Sequence, residues 1–219
     1  MTAAPAPPAD AGPPPTAGPH ADGRPDARVL VLSGPSGSGK STVVRKLAGE
    51  CSEPVRPSVS ATTRPPREGE VDGVDYHFLS DDEFRRREGA GAFLETAEVH
   101  GRGYWYGTPW AEVDAAAAAG AWALLEIDVA GARAVLARYP DAVTVFLMTS
   151  TEEEFVRRLR ARGTESEADI ARRIETANAE LREADGYLHR VYNDDLSAAV
   201  ARLCEILRTH PSPAADPAA

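Results

Sequence analysis

Three runs of nearly continuous apolar residues mark the chain, at 29–32, 122–128 and 142–148. Runs of this length without polar alternation are typical of strands that are covered on both faces. Between the second and third runs, residues 131–139 have helical periodicity and end before Pro140. The pattern therefore predicts a βαβ unit over 122–148 and an α/β fold with a parallel sheet.

Helix signals follow the first and third runs. Residues 41–50, which follow the first run, read as a helix, and the capping-box pattern at 151–154 predicts another that continues through Arg162 and ends at Gly163. A further helix start at 166–169 predicts a helix through about Ala184. The last two helices would form an arginine-rich hairpin.

The segment from about 58 to 108 has a different pattern. Prolines and glycines interrupt short extended pieces, which indicates a small β-rich lobe inserted after the first helix. The alanines at 115–119 before Gly120 fit the end of a helix, because alanine favours helices and glycine favours their caps.

Composition limits the function classes. The chain has 219 residues, enough for one domain with inserted lobes, and a formal net charge of −10, which opposes binding to a nucleic-acid backbone. Residues 1–27 are rich in Pro and Ala and predict a disordered tail, and 208–219 predict a second one. No signal peptide or bilayer-length apolar run occurs, so the sequence predicts a cytoplasmic protein with no membrane partner. Cys51 and Cys204 lie in no metal-ligand spacing and are expected to be ordinary reduced thiols.

A phosphate-binding motif directly follows the first apolar run. Residues 34–41, GPSGSGKS, match the pattern G-x-x-x-x-G-K-[ST] at every fixed position. Glycines let backbone N–H groups turn towards phosphate oxygens, and the following helix directs its positive end at them. Lys40 is expected to reach the outer phosphates, and the Ser41 hydroxyl is placed for Mg²⁺. The motif predicts binding of a nucleoside triphosphate.

Further motifs identify a family. They are SVSATTRPPREGE at 58–70, GVDY at 73–76, FLE at 93–95, YGT at 106–108, LEID at 125–128, RRLRARGTE at 157–165 and NDD at 193–195. Together with the phosphate loop they resemble guanylate kinase from about Arg28 to Leu207. The resemblance implies a P-loop kinase core with a parallel β-sheet flanked by helices, an inserted β-rich lobe that binds GMP, and a helical lid. It also implies Mg²⁺-dependent transfer of the γ-phosphate of ATP to GMP, giving ADP and GDP.

The inserted lobe carries residues suited to a nucleoside monophosphate. Arg64 and Arg67 can bind a dianionic phosphate in bidentate fashion. Tyr76 and Tyr106 could donate hydrogen bonds to the same group, although each taken singly could equally be a half-buried residue with its hydroxyl in water. The resemblance assigns guanine recognition to Glu95, whose carboxylate would accept from guanine N1 and N2, and its supporting hydroxyls are those of Ser60 and Thr108. Glu95 considered alone would read as an exposed acid.

Two acids occupy the end of the second apolar run. Glu126 and Asp128 are two apart, so a strand would project both from one face near its carboxyl end, where ligands of open α/β sheets bind. An acid there can help hold Mg²⁺ through water. The family usually has Asp in place of Glu126 and commonly Gln in place of Ala130, so the contact that Glu126 makes stays open.

The arginine-rich hairpin would supply charge to the transferring phosphates. By resemblance Arg158, Arg162 and Arg173 reach these phosphates and Asn193 lies by the ATP base, whereas Arg157, Arg160 and Arg172 read as solvated surface. His189 and Arg190 depart from the family pattern and suggest an exposed strand edge. The complete set of predicted catalytic residues is Lys40, Arg64, Arg158, Arg162 and Arg173. The predicted ATP-binding residues are Gly34, Pro35, Ser36, Gly37, Ser38, Gly39, Lys40, Ser41, Thr42 and Asn193. The predicted GMP-binding residues are Ser60, Arg64, Arg67, Tyr76, Glu95, Tyr106, Thr108, Glu126 and Asp128, and the predicted metal ligands are Ser41 directly and Asp128 through water.

Two alternatives to this function stay open at the level of sequence. One is a non-catalytic guanylate-kinase-like module that binds a phosphorylated peptide, which an intact phosphate loop disfavours. The other is a kinase for a different small acceptor, such as another nucleotide, although Glu95 with Ser60 and Thr108 favours guanine. Within the main function dGMP would fit as well as GMP, because no residue is dedicated to the 2′-hydroxyl. The sequence is compatible with a monomer or a small homo-oligomer.

Overall fold

The computed structural model describes residues 26–98, 103–161 and 167–210. Of the predicted tails at 1–27 and 208–219, residues 1–25 and 211–219 lie outside the described residues, as do Arg162 and the helix end at Gly163. In chain order the elements are β1 (Val29–Ser33), α1 (Lys40–Glu50), β2 (Val55–Pro57), β3 (Ala61–Thr62), β4 (His77–Phe78), α2 (Asp81–Gly89), β5 (Phe93–Glu98), β6 (Trp105–Pro109), α3 (Trp110–Ala118), β7 (Trp122–Glu126), α4 (Val129–Leu136), β8 (Val143–Met148), α5 (Glu152–Ala161), α6 (Glu167–Leu181), a short 3₁₀ helix (Ala184–Gly186), β9 (His189–Tyr192) and α7 (Leu196–Thr209).

The core is a five-stranded parallel sheet in the order β2-β7-β1-β8-β9. Successive residues of β1 point to opposite faces. Leu30 and Leu32 therefore join the apolar cluster built with α1 and α7, and Val29 and Val31 join the cluster on the other face with α3 and α4. Both faces are covered, which explains why the strands read as continuous apolar runs and confirms the predicted fold class.

The inserted lobe is a four-stranded sheet in the order β4-β3-β6-β5, covered by α2. Strands β5 and β6 are antiparallel, and a register irregularity lies between Phe93 and Glu95. Phe84 of α2 stacks on Phe93 with ring centroids 4.7 Å apart. The β-rich character predicted for this segment is confirmed.

Helices α5 and α6 form the predicted hairpin. Phe155 and Leu159 of α5 pack against Ile170, Ile174 and Ala177 of α6 in an apolar cluster of their own. The lid is thus held together by its own small core, apart from the clusters on the two faces of the parallel sheet.

One prediction about the βαβ unit is wrong. The second strand ends at Glu126 and does not reach Asp128, whose carboxylate instead caps α4 by accepting from the backbone N–H of Gly131 at 2.8 Å. An Asp at this position satisfies a backbone donor that the first helical turn leaves without a partner. As a result α4 begins at Val129, two residues before the predicted start.

The sequence pattern does not predict β2, α2 or α7. A capping signal precedes both helices: Ser80 accepts from the N–H of Glu83, and Asp195 accepts from that of Ala198. Strand β2 has only three residues and gives no comparable signal. Helix α7 ends at Thr209, two residues beyond the predicted domain limit.

Tertiary structure brings together residues that are distant in sequence. Cys51 and Cys204 are free and half-buried, and both pack against the cluster between α1 and α7. Burial, with the Cys51 thiol adjacent, raises the pKa of Cys204 to about 12, so this thiol stays protonated.

His189 and Arg190 lie on β9, the edge strand of the core sheet, as predicted. Across 26–98, 103–161 and 167–210, no helix is long and apolar enough to cross a membrane.

Candidate active site

The phosphate loop connects β1 to α1, and its conformation depends on glycine. Gly34, Gly37 and Gly39 have φ values of 145°, 110° and 91°. A Cβ added to Gly34 would lie 2.0 Å from the carbonyl oxygen of Leu147, and one added to Gly39 would lie 2.5 Å from Nδ2 of Asn193. Any larger residue at either position would have to displace the loop from the core.

The polar side chains of the loop converge at the start of α1. Lys40 Nζ donates to the carbonyl oxygens of Gly34 at 2.6 Å and Pro35 at 3.2 Å, so the ammonium group lies over the loop. Ser41 Oγ donates to Oε1 of Glu126 at 3.0 Å. Of the other predicted loop residues, Pro35 and Ser38 are buried, whereas Ser36 and Thr42 are exposed.

Asn193 lies against the phosphate loop, and its place by the ATP base stays a prediction. Its side chain is 4% exposed, and Nδ2 donates to the carbonyl oxygen of Ser38 at 2.7 Å. The amide thus holds the phosphate loop through a backbone carbonyl group. A buried amide that lost this bond would leave a polar group unsatisfied, which explains its position.

The lid contacts the phosphate loop directly. A Cβ on Gly37 would lie 2.9 Å from Leu159 Cδ2, and one on Gly39 would lie 3.8 Å from Arg158 Nη1. Arg158 is held by Glu154 at 2.7 Å and by the carbonyl oxygen of Asp194 at 3.3 Å. The structure thereby brings Arg158 to the loop.

The remaining lid arginines lie as follows. Arg157 pairs with the same Glu154 at 2.7 Å, but its side chain is 69% exposed, as predicted for a surface residue. Arg160 and Arg172 are exposed as well. Arg173 lies half-buried on α6, and Arg162 lies outside the described residues.

Arg64 is 8% exposed in the inserted lobe, which is called the acceptor lobe below because the sequence predicts that it binds GMP. Its Nη1 and Nη2 donate to the two carboxylate oxygens of Glu70, each at 2.9 Å, and its Nε donates to the hydroxyl of Tyr106 at 3.3 Å. The guanidinium carbon lies 5.4 Å from the ring centre of Tyr76. Arg64 is therefore a rigid, positively charged group.

Two tyrosines and Arg67 complete this end of the lobe. The rings of Tyr76 and Tyr106 meet edge to face with centroids 5.9 Å apart. Burial raises the pKa of Tyr76 to about 12, so its hydroxyl remains a hydrogen-bond donor. Arg67 is exposed.

Glu95 is buried, with 7% of its surface exposed. Thr108 Oγ1 donates to Glu95 Oε1 at 2.7 Å, and burial raises the pKa of the carboxyl to about 6. Ser60 lies just before β3, half-buried, and its carbonyl oxygen accepts from the N–H of His77 at 2.9 Å. The structure brings Glu95 and Thr108 together in an enclosed site, so the reading of Glu95 as an exposed acid does not hold.

The acids Glu126 and Asp128 belong to different parts of the site. Whereas Glu126 contacts Ser41, a Cβ on Gly131 would lie 3.1 Å from Glu95 Oε2 and 3.4 Å from Asp128 Oδ1. Asp128 thus lies beside the buried carboxylate of the acceptor lobe. Glu126 thus contacts the phosphate loop and also lies close enough to Tyr76 of the lobe to raise its pKa, whereas Asp128 caps α4 beside Glu95.

Comparison with known proteins decides what this arrangement of loop, lobe and lid represents. The family model described as guanylate kinase matches residues 26–210. The chain belongs to the guanylate kinase family. Membership confirms the resemblance, the fold class and the enzyme class, an ATP:GMP phosphotransferase.

Individual guanylate kinases support this assignment. The guanylate kinase of Rhodopirellula baltica is 48% identical over 181 residues, 82% of this chain and 87% of the relative. That of Mycolicibacterium paratuberculosis is 48% identical over 199 residues, 91% of this chain and 89% of the relative. The crystal structure of guanylate kinase from Anaplasma phagocytophilum superposes with a TM-score of 0.66 at 32% identity, covering 83% of this chain and 85% of that chain.

The sequence analysis does not identify two acids of this guanylate kinase family member, Glu70 and Glu180. Glu70 pairs with Arg64, and Glu180 of α6 is a largely buried carboxylate that senses the charges of Lys40 and Asp128. Burial raises the pKa of Glu180. Glu70 could have been suspected from its place in the motif at 58–70, whereas a single acid on the helical segment around Glu180 gives no signal.

Proposed function

We propose that this chain transfers the γ-phosphate of ATP directly to GMP, with the phosphate loop holding ATP and the inserted lobe holding GMP. The observation that carries the proposal is the buried Glu95 carboxylate, which lies with Thr108 in a lobe that also carries the Arg64 cluster. One group matches the guanine base and the other matches the acceptor phosphate. The products are ADP and GDP.

Guanine recognition follows from hydrogen-bond complementarity. Guanine presents donors at N1 and N2, and an ionised Glu95 can accept both. Adenine has an acceptor at N1 and no amino group at C2, so it would leave the buried carboxylate without partners, a loss that supports strong discrimination. Asp128 adjoins Glu95 and extends the acceptor surface. Since no contact for the 2′-hydroxyl is evident, dGMP is expected to be a substrate too.

Mg²⁺ fits the residues at the mouth of the phosphate loop. The hydroxyl of Ser41 and the carboxylate of Glu126 are 3.0 Å apart, and both are the oxygen ligands that this cation prefers. Asp128 has one oxygen committed to the cap of α4, so Glu126 is the better placed acid. The described residues contain no group of three or more His, Cys, Asp or Glu that could hold a metal, which is compatible with an ion held largely by substrate phosphates. When bound, Mg²⁺ would neutralise charge on the phosphates.

The protein itself contributes mainly orientation and positive charge. Lys40 and Arg158 lie at the phosphate loop, and Arg64 lies in the lobe, so cationic groups are available on both sides of the transferring phosphoryl group. In-line transfer needs little further chemistry from the protein. Closure of the lid would exclude water and prevent hydrolysis of ATP. ATP hydrolysis without an acceptor should therefore be far slower than GMP-dependent turnover, and equal rates would contradict this gating.

Several finer predictions accompany this function. The catalytic domain is proposed to span about residues 28–207 with α7 extending it to Thr209, between two tails. A cytoplasmic location, the lack of a nucleic-acid or membrane partner, and a monomer or small homo-oligomer stay predictions from the sequence.

A coupled assay of ADP release tests the proposal. ATP and Mg²⁺ are supplied with GMP, dGMP, AMP, CMP or UMP as the acceptor, and the Lys40→Ala variant serves as the control for phosphate-loop chemistry. Strong turnover with GMP that the variant loses is the expected result. ATP binding without turnover on any acceptor would contradict it and favour the non-catalytic module, while turnover on another nucleotide alone would favour the second alternative.

A further inference from the structure

A tight turn in the acceptor lobe is closed by one carboxylate. The N–H of Glu70 donates to the carbonyl oxygen of Arg67 at 3.1 Å, and Oε2 of Glu70 accepts in return from the N–H of Arg67 at 2.7 Å. Gly69, inside the turn, has a φ of +86°, which glycine adopts readily. These two bonds fix the carboxylate to the backbone, so it is not a freely rotating surface acid.

The same carboxylate holds the guanidinium of Arg64 by its two terminal nitrogens. Both bonds measure 2.9 Å, and the side chains of Arg64 and Glu70 are 9% and 18% exposed. The hydrogen bond from Arg64 lowers the pKa of Glu70, so the group is ionised at neutral pH. A bidentate pair of this kind sets the plane and direction of the guanidinium as well as its position.

The hydrogen count of Arg64 shows which edge remains for a ligand. A guanidinium has five N–H hydrogens. One hydrogen of Nη1 and one of Nη2 are donated to the Glu70 carboxylate. The second hydrogen of Nη1 is donated to the carbonyl oxygen of Pro65 at 2.7 Å, and the Nε hydrogen is donated to the Tyr106 hydroxyl at 3.3 Å. The fifth is on Nη2 and points to the Nε side. The Nε/Nη2 edge, bordered by the Tyr106 hydroxyl, is therefore the edge that faces a phosphate.

We propose that Glu70 is a positioning residue for the acceptor phosphate, which fixes Arg64 so that its Nε/Nη2 edge binds the phosphate of the nucleoside monophosphate. Glu70 does not touch the substrate in this arrangement and acts through Arg64. The inference rests on the proposed function of the lobe as the GMP site.

A competing interpretation is that Glu70 occupies the place of the phosphate and must leave before GMP binds. The geometry disfavours it for two reasons. Oε2 of Glu70 also accepts from the backbone N–H of Arg67, so displacement would open the turn. In addition, Glu70 binds the end of the guanidinium formed by Nη1 and Nη2, whereas the edge that Tyr106 borders is formed by Nε and Nη2. The two interpretations predict opposite effects on GMP binding.

Steady-state kinetics of Glu70→Gln separate them. Loss of the charge-assisted pair should let Arg64 rotate, and we expect KM for GMP to rise about tenfold or more, while kcat changes less than about threefold and KM for ATP stays the same. Glu70→Asp, which keeps the charge, should recover part of the affinity. The matched control is Glu68→Gln, an exposed acid two residues away, which should match the wild type.

Calorimetry with GMP and with guanosine distinguishes positioning from a structural role. We expect Glu70→Gln to lose affinity for GMP and keep that for guanosine, which has no phosphate. An unchanged or lower KM for GMP, or an equal loss for guanosine, would overturn the proposal. Lack of GMP-dependent turnover in the wild type would count against the proposed function alone, because the two binding measurements would still decide the role of Glu70.

Discussion

At the scale of single residues, the site depends on where charge is buried. Glu95 is enclosed and supported by one hydroxyl, so its ionised form is costly in the free protein. Glu70 is ionised easily because an arginine faces it. We therefore propose different roles for the same residue type at the two ends of the lobe, base recognition for Glu95 and orientation of a cation for Glu70.

Replacing Glu95 by Gln should have opposite effects on function and stability. The amide cannot accept both guanine donors, so kcat/KM for GMP should fall roughly 10- to 100-fold, the loss expected for a charge-assisted hydrogen bond. The folded protein raises the pKa of Glu95 to about 6 from an ordinary value of 4.5, so the buried charge costs about 2 kcal/mol at neutral pH. Removing it should raise the free energy of unfolding at pH 7. Thermal unfolding beside the kinetic assay checks both; an unchanged kcat/KM for GMP would contradict the proposed role.

The pH dependence of GMP use follows from the same carboxyl. Protonation of Glu95 below about pH 6 removes the acceptor that guanine needs, so kcat/KM for GMP should fall as the pH decreases through this value. Stability should change in the opposite direction, because the folded state binds this proton more tightly than the unfolded chain. The destabilisation by Glu95 is therefore present above pH 6 and fades towards pH 4.5. Profiles of kcat/KM between pH 5 and 8 test this, and an identical inflection in Glu95→Gln would assign it to another group.

At the scale of elements, the junction of β7 and α4 places two acids in different surroundings. The strand ends at Glu126, which points to Ser41 of the phosphate loop. The helix is capped by Asp128, which adjoins Glu95 in the lobe. One short connection thereby links the phosphate loop to the inserted lobe.

Paired substitutions at this junction should separate the roles of the two acids. Glu126→Gln is expected to raise the Mg²⁺ concentration needed for half-maximal activity, whereas Asp128→Asn should mainly raise KM for GMP. Asn caps helices about as well as Asp, so Asp128→Asn should keep the free energy of unfolding, and Asp128→Ala should lower it by about 1 kcal/mol. Mg²⁺ titrations and denaturant unfolding measure these effects. A change in Mg²⁺ dependence confined to Asp128→Asn would support the sequence-based prediction that Asp128 holds the metal through water.

At the scale of the whole molecule, stability and function lie in different layers. The cluster between α1, α7 and the core sheet contains the largest set of buried side chains, including Leu203. The substrates are expected at the carboxyl ends of the strands, where the loop and lobe meet. Helix α7 packs in this apolar cluster. Only Asn193, which lies just before the helix, contacts the phosphate loop among this part of the described chain.

Leu203→Ala should therefore destabilise the fold without changing substrate affinity. Leu203 is 0% exposed, and removing its side chain should lower the free energy of unfolding by about 2–5 kcal/mol. Leu188→Ala provides the control, since that leucine is 62% exposed and its loss should cost less than about 0.5 kcal/mol. Urea unfolding gives the stabilities, and KM values for ATP and GMP measured in the native state should match the wild type. A large KM change in Leu203→Ala would show that α7 shapes the site.

The sequence predicts those structural features whose signals lie within a short stretch of the chain. The phosphate loop, the βαβ unit and the lid hairpin were predictable because each combines an apolar period with a cap or a glycine pattern. Strand β2 has only three residues and was not assigned. The contact of Asn193 with Ser38, 155 residues away, was not predictable, because no local pattern encodes such a pairing.

The sequence by itself determined the parallel core, the triphosphate-binding loop and the family, because apolar periodicity and fixed motif spacing act over short stretches of chain. Tertiary structure alone decided the partners of the polar groups. It placed Glu126 on Ser41, Asp128 beside Glu95 and Glu70 on Arg64. Charges and hydrogen bonds depend on distances of a few ångströms between distant segments, and only the folded chain sets those distances.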